Sequence, residues 1–208
     1  MFTQIAGSDV TAAIAAAPPN LPTRCYGWWM TAPPKHAMSA DEFLAWVAKQ
    51  PKEAGRFELI DGLVIMQNSE RLLHSRTKGR LFRALASALE KSGANCEAVV
   101  DGPTVRVSAK KTYKPDGLIY CGPRLPDDVI EVSNPVLVWE VLSPDSVDRD
   151  HGEKVPGYFT IESVQHYLIV DPERRVIIHH RRGEGEDLLT RVRSSGRLRF
   201  DPPGIEIA

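Results

Sequence analysis

The apolar residues of this chain follow a helical period in two segments. Ser39 and Glu42 form a capping box, the pattern in which a serine hydroxyl and a glutamate satisfy the free N–H groups where a helix begins. An apolar stripe follows it over residues 43–47. A second helix is predicted over residues 72–91, because leucine recurs there every four residues at positions 81, 85 and 89, and Gly93 follows as a stop signal.

Most of the other apolar segments have the length and composition of strands. Residues 57–60 and 63–66 flank Asp61 and Gly62, a pair that favours the tight turn of a β-hairpin. Further strands are predicted at residues 96–100, 104–107, 117–121, 136–142, 166–170, 176–180 and 188–192, and a short irregular helix within residues 152–160. Two helices followed by a mostly β body favour an α/β (α+β) fold with a mixed central β-sheet.

Composition adds a domain boundary and excludes several classes of protein. The chain has 208 residues, of which 42% are hydrophobic and 25% charged, as expected for a folded domain and not for a disordered chain. Residues 1–37 are rich in alanine and proline and are predicted to form a flexible arm, while residues 38–208 form a single domain. The formal net charge of −1 excludes a strongly basic nucleic-acid coat protein, but not an enzyme with locally placed charge.

Cysteine usage and the lack of long apolar runs predict a cytoplasmic protein with no membrane partner. Cys25, Cys96 and Cys121 are odd in number and far apart in sequence, so we expect neither a disulfide framework nor a cysteine-ligated zinc site. No apolar run approaches the ~18 residues of a membrane span. The apolar stretch at residues 12–17 lacks a preceding basic region, which indicates neither a signal peptide nor an anchor.

A single acidic residue within an apolar strand is the strongest chemical signal. Residues 136–142 are apolar on both faces except at Glu140, as in a strand at the centre of a sheet. An unpaired carboxylate there would cost on the order of several kcal/mol, so a metal ion or an arginine partner must compensate it. Asp116 precedes another apolar strand. If the two strands are neighbours, both carboxylates converge where a hard divalent cation would find oxygen ligands.

Five short motifs, taken in order, resemble the Uma-two family of putative restriction endonucleases, within the PD-(D/E)XK nuclease superfamily. The motifs occupy residues 58–62, 115–116, 140–144, 150–158 and 167–172, and the resemblance covers residues 38–182. It implies a restriction-endonuclease-like core, in which helices flank a mixed sheet and a metal site lies at the sheet edge.

The resemblance also implies roles for individual residues. Asp116 and Glu140 would bind Mg²⁺ or Mn²⁺, Glu58 would be a supporting acidic ligand, and Lys154 would be the catalytic lysine. The superfamily places its lysine two residues after the second acid, where this chain has Leu142. A lysine from the following helix is thought to replace it in this family, and Lys154 is the matching position. The implied activity is that of an Mg²⁺-dependent endodeoxyribonuclease, which hydrolyses DNA phosphodiester bonds.

A DNA substrate would require positive charge beside these carboxylates. Lys110, Lys111 and Lys114 directly precede Asp116 and are therefore candidates for contacting DNA. Arg76 and His74, at the start of the second predicted helix, are further candidates. A solvated helix surface for the arginine and a packing role for the histidine explain these two residues as well. A homodimer is expected, because cleavage of both DNA strands needs two active sites.

Two other interpretations stay open. The chain could be a catalytically inactive nuclease-fold module that binds DNA or another partner, since Leu142 replaces the usual lysine and the net charge is close to zero. It could also be a structural or regulatory oligomer, as Trp28 and Trp29 in the arm and the number of predicted edge strands suggest. Binding of a divalent metal through Asp116 and Glu140 separates the enzyme from the inactive module.

Overall fold

The computed structural model describes residues 31–51, 54–67, 70–101, 103–143 and 152–208. Its helices are α1 (Ala40–Val47), α2 (Leu72–Ser92) and α3 (Lys154–Phe159). Its strands are β1 (Phe57–Ile60), β2 (Leu63–Met66), β3 (Cys96–Val100), β4 (Val105–Ser108), β5 (Lys111–Tyr113), β6 (Gly117–Cys121), β7 (Pro135–Val141), β8 (His166–Asp171), β9 (Val176–Arg182), β10 (Leu188–Arg193), β11 (Leu198–Phe200) and β12 (Ile205–Ile207).

The central element is a six-stranded sheet with the order β10-β9-β8-β7-β6-β3. Strands β7 and β8 run parallel, and the other pairs of this sheet are antiparallel. The sheet is therefore mixed, as the sequence predicts. A four-stranded sheet with the order β2-β1-β5-β4 and a hairpin of β11 and β12 complete the strands in the described part of the chain.

The two faces of the central sheet are covered differently. One face packs against α2, through Leu81, Leu85 and Leu89, and against the β11–β12 hairpin. The other face packs against α3 and the four-stranded sheet, where Tyr113 and Tyr158 are both fully buried. Helices thus flank the sheet as expected, but strands cover much of both faces as well.

Local sequence signals account for where most elements begin and end. The capping box at Ser39 and Glu42 is formed, and the β1–β2 hairpin turns at Asp61 and Gly62. Helix α2 ends at Gly93, whose φ of 68° is left-handed and suits a residue without a Cβ. The strands β5, β11 and β12 were not predicted. Each has only three residues, too few for a recognisable alternation of apolar and polar positions.

The register between β6 and β7 is fixed by a close contact between Gly117 and Trp139. These two residues are paired across the strands, and the Trp139 indole lies against the glycine so closely that any Cβ there would overlap it. One residue beyond this pair, in each strand, are Asp116 and Glu140. The register therefore brings the two predicted metal ligands to the same end of the sheet.

The cysteines correct one expectation from the sequence. Cys96 and Cys121 are paired across β3 and β6 and form a disulfide, although 25 residues separate them along the chain. The antiparallel register brings the two side chains together, which sequence separation alone does not reveal. The disulfide removes the cysteine argument for a reducing compartment. Cys25 lies outside the described residues, as do Trp28 and Trp29. Within the described ranges, no helix has the length and apolar character needed to span a membrane.

Candidate active site

Asp116 is held at the mouth of β6 and is only 4% exposed. Its Oδ2 accepts a hydrogen bond from the Val141 N–H at 2.8 Å and lies 3.1 Å from His74 Nε2. Its Oδ1 accepts from Arg56 Nη1 at 3.2 Å. Burial raises the pKa of this carboxyl, but the contacts with His74, Val141 and Arg56 outweigh burial and lower the pKa to about 2. Asp116 is therefore ionised throughout the neutral range.

Glu140 is buried beside Lys154 on the face of β7 opposite Trp139. Its Oε1 accepts hydrogen bonds from Lys154 Nζ at 2.7 Å and from the Tyr158 hydroxyl at 3.0 Å. Lys154 begins α3, and its Nζ also lies 3.3 Å from Glu58 Oε1. The structure thus brings Glu58, Glu140 and Lys154 into one contact group, next to Asp116.

A network of charged side chains extends this group toward the start of α2. Arg56 Nη1 lies 2.7 Å from Glu70 Oε1 and 2.8 Å from Asp101 Oδ1, besides its contact with Asp116. Lys78 Nζ lies at the same two distances from the carboxylates of Glu70 and Asp101. We call Glu58, Glu70, Asp101, Asp116 and Glu140 the carboxylate cluster.

The carboxylate cluster has more negative than positive charge. Its five carboxylates contact three permanent cations, Arg56, Lys78 and Lys154, so two negative charges are in excess while His74 is neutral and one when it is protonated. This balance refers to the contacts among the described residues. Glu58, Asp116 and Glu140 are buried, whereas Glu70 and Asp101 lie at the surface. An excess of negative charge among carboxylate oxygens favours binding of a divalent cation.

His74 connects α2 to the end of β7. Its Nε2 lies 2.8 Å from the carbonyl oxygen of Val141, and its Nδ1 lies 3.2 Å from Glu70 Oε2. Since a carbonyl can only accept, Nε2 must carry a proton. Burial lowers the pKa of His74, but the hydrogen bond and the charge of Asp116, together with Glu70, outweigh burial and raise it. His74 therefore clamps Asp116 in place.

Comparison with known proteins places this fold and these motifs in one family. A model of the Uma2 family, described as "Putative restriction endonuclease", matches residues 40–206 of the chain. The chain belongs to the Uma2 family. This membership confirms the resemblance drawn from the five sequence motifs and supports a nuclease-like function.

Two relatives and one solved structure are similar to this Uma2-family chain. The uncharacterized protein slr1290 of Synechocystis sp. is 27% identical over 173 residues, 82% of this chain and 88% of that protein. The uncharacterized protein sll1609 of the same organism is 27% identical over 159 residues, 74% and 87% of the two chains. A crystal structure from Anabaena variabilis, described as a putative nuclease belonging to DUF820, has a TM-score of 0.59 at 20% identity and covers 76% of this chain and 85% of that one. The last similarity confirms the nuclease-like fold.

Two sets of side chains in the Uma2 site could hold a metal, and they share Asp116. The first is the predicted set of Asp116, Glu140 and Glu58. The second is Glu70, His74 and Asp116, whose candidate ligand atoms all lie within 4.8 Å of one another; among the described residues this is the group that meets that distance, and the predicted set does not. The oxygen-only set suits Mg²⁺ better, because imidazole favours softer transition metals. In addition, His74 Nε2 carries the proton donated to Val141, which leaves that nitrogen without a free lone pair.

The predicted DNA-binding residues differ in how accessible they are. Lys110 and Arg76 are exposed, whereas Lys111 is half-buried and bonds to Glu153 Oε1 at 2.9 Å. Lys114 is also half-buried, and burial together with the charge of Arg56 lowers its pKa. His74 is 8% exposed and faces Asp116. Contact of each residue with DNA stays a prediction.

Sequence reasoning missed four charged residues of this site and one hydroxyl. Arg56, Glu70 and Asp101 lie just outside predicted elements, where charged residues are ordinary. Lys78 follows His74 by four residues and precedes Leu81 by three, which places it on the core-facing stripe of α2, so its burial could have been predicted. The hydroxyl is that of Tyr158, which is fully buried and donates a hydrogen bond to Glu140.

Proposed function

We propose that this protein is a metal-dependent DNA endonuclease. The observation that best supports the proposal is the buried group formed by Asp116, Glu140, Glu58 and Lys154 at one end of the β6–β7 pair. Burying so many ionisable side chains together costs stability unless they are mutually compensated, so a group of this kind is a strong candidate for function. Membership of the Uma2 family supports a nucleic acid as the substrate.

In this proposal Asp116 and Glu140 hold Mg²⁺ or Mn²⁺, with Glu58 as a supporting ligand. The chemistry of the donor set suits a hard divalent cation, because it consists of carboxylate oxygens and Asp116 stays ionised at neutral pH. A bound divalent ion would lower the pKa of a water molecule and neutralise charge on the phosphate.

In this proposal, neighbouring side chains and one backbone N–H hold the metal-binding carboxylates in position. The Val141 N–H and His74 fix both the position and the charge of Asp116. Lys154 is held between Glu140 and Glu58, and its ammonium supplies positive charge where negative charge develops on the phosphate in the transition state. Tyr158 donates to the same oxygen of Glu140 and so restricts its rotamer.

DNA would be bound through its phosphate backbone by Lys110, Lys111, Lys114 and Arg76. Lys110 and Arg76 are exposed and free of burial cost, so they are the best placed for phosphate contact. Each such contact steepens the dependence of affinity on salt, by about 0.9 in the slope of log K against log salt for duplex DNA. Loss of about one unit of slope in Lys110→Gln would support direct phosphate contact, and an unchanged slope would contradict it.

The decisive experiment is cleavage of plasmid DNA with Mg²⁺ or Mn²⁺ by the wild type, Glu140→Gln and Glu173→Gln. Glu173 is an exposed glutamate on the turn after β8 and is not part of the carboxylate cluster, so its replacement by glutamine controls for the chemical change itself. We expect the wild type and Glu173→Gln to cleave and a folded Glu140→Gln to be inactive. Equal cleavage by all three would refute the assignment of Glu140.

A second candidate is a DNA-binding module without catalysis. It is favoured by Leu142 in the usual lysine position and by the cations Arg56, Lys78 and Lys154, which already neutralise much of the carboxylate cluster. Calorimetric titration with Mg²⁺ and Mn²⁺ separates the two functions. Absence of metal binding together with retained DNA binding would favour the module.

We also propose that the protein acts as a homodimer, with residues 1–37 as an arm of the domain at 38–208. Cleavage of both strands requires two active sites. Strand β2 is an edge strand with exposed Leu63 and Met66, which suits contact with a second copy. Sedimentation equilibrium of the whole chain would contradict this if only monomer were found at the concentrations used for cleavage.

A further inference from the structure

A polar cavity lies on the α2 face of the central sheet, between the β9–β10 edge and the β11–β12 hairpin. It has a volume of about 280 Å³ and is lined by His179, Arg181, Leu189, Arg191, Arg199 and Asp201. Pairs across β9 and β10 place His179 opposite Arg191 and Arg181 opposite Leu189, so these four side chains share one face of the sheet. Arg199 reaches the cavity from β11.

The cavity is separate from the carboxylate cluster. Arg181 and Leu189 lie in the same row of paired residues as Leu137, and His179 and Arg191 lie in the row of Trp139. Glu140 lies in the next row, with Ile178. The cavity is also on the α2 face of the sheet, and Glu140 is on the α3 face. A ligand bound here would therefore not touch Glu140.

Charge in the cavity is strongly positive for its size. Three guanidinium groups face a single carboxylate, that of Asp201, which lies 3.6 Å from Arg199. Two positive charges are thus in excess among the lining residues. Guanidinium groups that surround a small volume repel one another, and binding an anion relieves this repulsion.

A pair of buried histidines gives the cavity a rigid floor. His166 Nε2 lies 3.0 Å from the carbonyl oxygen of Pro202, and His166 Nδ1 lies 3.0 Å from His179 Nε2. Because the carbonyl only accepts, a neutral His166 carries its proton on Nε2 and His179 donates to Nδ1. The Phe200 ring packs against both imidazoles. This chain of hydrogen bonds fixes the orientation of the His179 ring. The positive charge that would attract an anion comes from the arginines.

We propose that this cavity binds a phosphate monoester, the group found at the end of a nucleic-acid strand and on a free nucleotide. Such a group has a charge of about −1.5 to −2 at neutral pH, which matches the excess charge of the lining. Guanidinium forks bind phosphate oxygens in a bidentate manner. The volume is near the lower end of ligand pockets, about 300–1,000 Å³, and Leu189 supplies an apolar wall for the attached sugar.

Calorimetric titration of the whole chain tests this proposal, with three probes used without added divalent metal so that no DNA is cleaved. The probes are inorganic phosphate, adenosine 5′-monophosphate, and a short DNA duplex with or without 5′-phosphates. We expect the monoester probes to bind the wild type, and Arg191→Gln to bind them about tenfold to a hundredfold more weakly, the scale of losing hydrogen bonds to a charged group.

Arg193→Gln is the matched control, because Arg193 lies on the same strand and face as Arg191 but does not line the cavity. Both arginines are exposed, so neither change should prevent folding. Tighter binding of the nucleotide than of the phosphorylated duplex would identify a free nucleotide as the ligand, and the reverse would identify a strand end. Absence of binding by every probe, or equal loss in both variants, would overturn the proposal.

Discussion

His74 and the pair of His166 and His179 are similarly buried, at 8%, 0% and 5% exposure, yet their pKa values shift in opposite directions. Burial lowers the pKa of all three. At His74 the carboxylates of Asp116 and Glu70 outweigh burial and raise the pKa. At the pair nothing opposes burial sufficiently, and the pKa of each falls to about 4.

The comparison shows that neighbours, more than depth, decide whether a buried group keeps its charge. Asp116 and Glu70 stay ionised because their cationic and hydrogen-bonding partners lower their pKa values in spite of burial. The histidine pair, with Arg181 nearby, gives up its charge instead. Charged groups are thus concentrated at one end of β7, and a neutral pair lies beside a cationic cavity on the face of the sheet opposite Glu140.

The largest effect should come from removing the cation that compensates two buried carboxylates. Lys154→Met leaves Glu140 and Glu58 without their ammonium partner, so the free energy of unfolding at neutral pH should fall by about 3–5 kcal/mol. Urea denaturation measures it. Lys110→Met is the control, because Lys110 is exposed and should change stability little. Equal stability of the two variants would show that the ion pairs of Lys154 with Glu140 and Glu58 do not stabilise the fold.

Asp116→Asn should shift the pKa of His74 in the same direction as the pKa values of His166 and His179. Without the Asp116 charge, burial should dominate, and the pKa of His74 should fall below its ordinary value. Metal-dependent cleavage should fall by at least about a hundredfold, the scale for removing one preorganised electrostatic group. Proton NMR of the imidazole and a plasmid assay measure the two effects. An unchanged pKa would contradict the coupling.

The pKa shifts of the three histidines together predict a maximum in stability near pH 6.5, which is the ordinary pKa of a histidine. His166 and His179 have lowered pKa values, so the unfolded chain takes up protons first and stability falls as the pH drops from 6.5 toward 4. The raised pKa of His74 stabilises the fold below 6.5, and this contribution is lost as the pH rises through that pKa. Urea denaturation should show a loss of about 2 kcal/mol between the maximum and about pH 5. A free energy of unfolding that does not change with pH over this range would contradict the shifted pKa values.

His74 should act on catalysis through Asp116. His74→Phe removes the clamp, and we expect cleavage to fall by about tenfold and the pKa of Asp116 to rise toward its ordinary value. His74→Gln keeps an N–H donor and should restore most of the activity. Carbon-detected NMR of the Asp116 carboxyl distinguishes positioning from a general loss of structure. Loss of activity without a change in that pKa would argue against the clamp.

The smallest effect should come from the arginine nearest the histidine pair. Arg181→Gln removes a positive charge that lowers the pKa values of His166 and His179, but burial is the larger cause. Both values should rise by a fraction of a unit, since Arg181 is exposed and its charge is screened. Arg174→Gln, on an exposed turn, should leave them unchanged. NMR titration measures both variants.

Local signals in the sequence predicted the scaffold better than the contacts around the site. The capping box at Ser39, the Asp61 and Gly62 turn and the leucine period of α2 act over a few residues, and all three are confirmed. Glu140 was recognisable because a carboxylate interrupts an apolar strand, and its closeness to Asp116 followed once the strands were assumed to be neighbours.

The remaining contacts join residues that are far apart in the sequence, and no local pattern predicts them. Arg56 meets Asp101 and Asp116, 45 and 60 residues away, only because the two sheets pack together. The β11–β12 hairpin, with Arg199, was missed because its strands are too short to show a period. Without that hairpin, the cavity with Arg181 could not have been foreseen.

The contact between Gly117 and Trp139 has a consequence for how this sequence can change over generations. Any side chain at position 117 would overlap the indole, so position 117 can accept a Cβ only after position 139 has become smaller. A change at position 117 therefore depends on an earlier change at position 139, because a Cβ at 117 and the indole at 139 do not fit together. Because Asp116 and Glu140 are their immediate neighbours, this constraint also preserves the alignment of the carboxylates while the rest of the chain diverges.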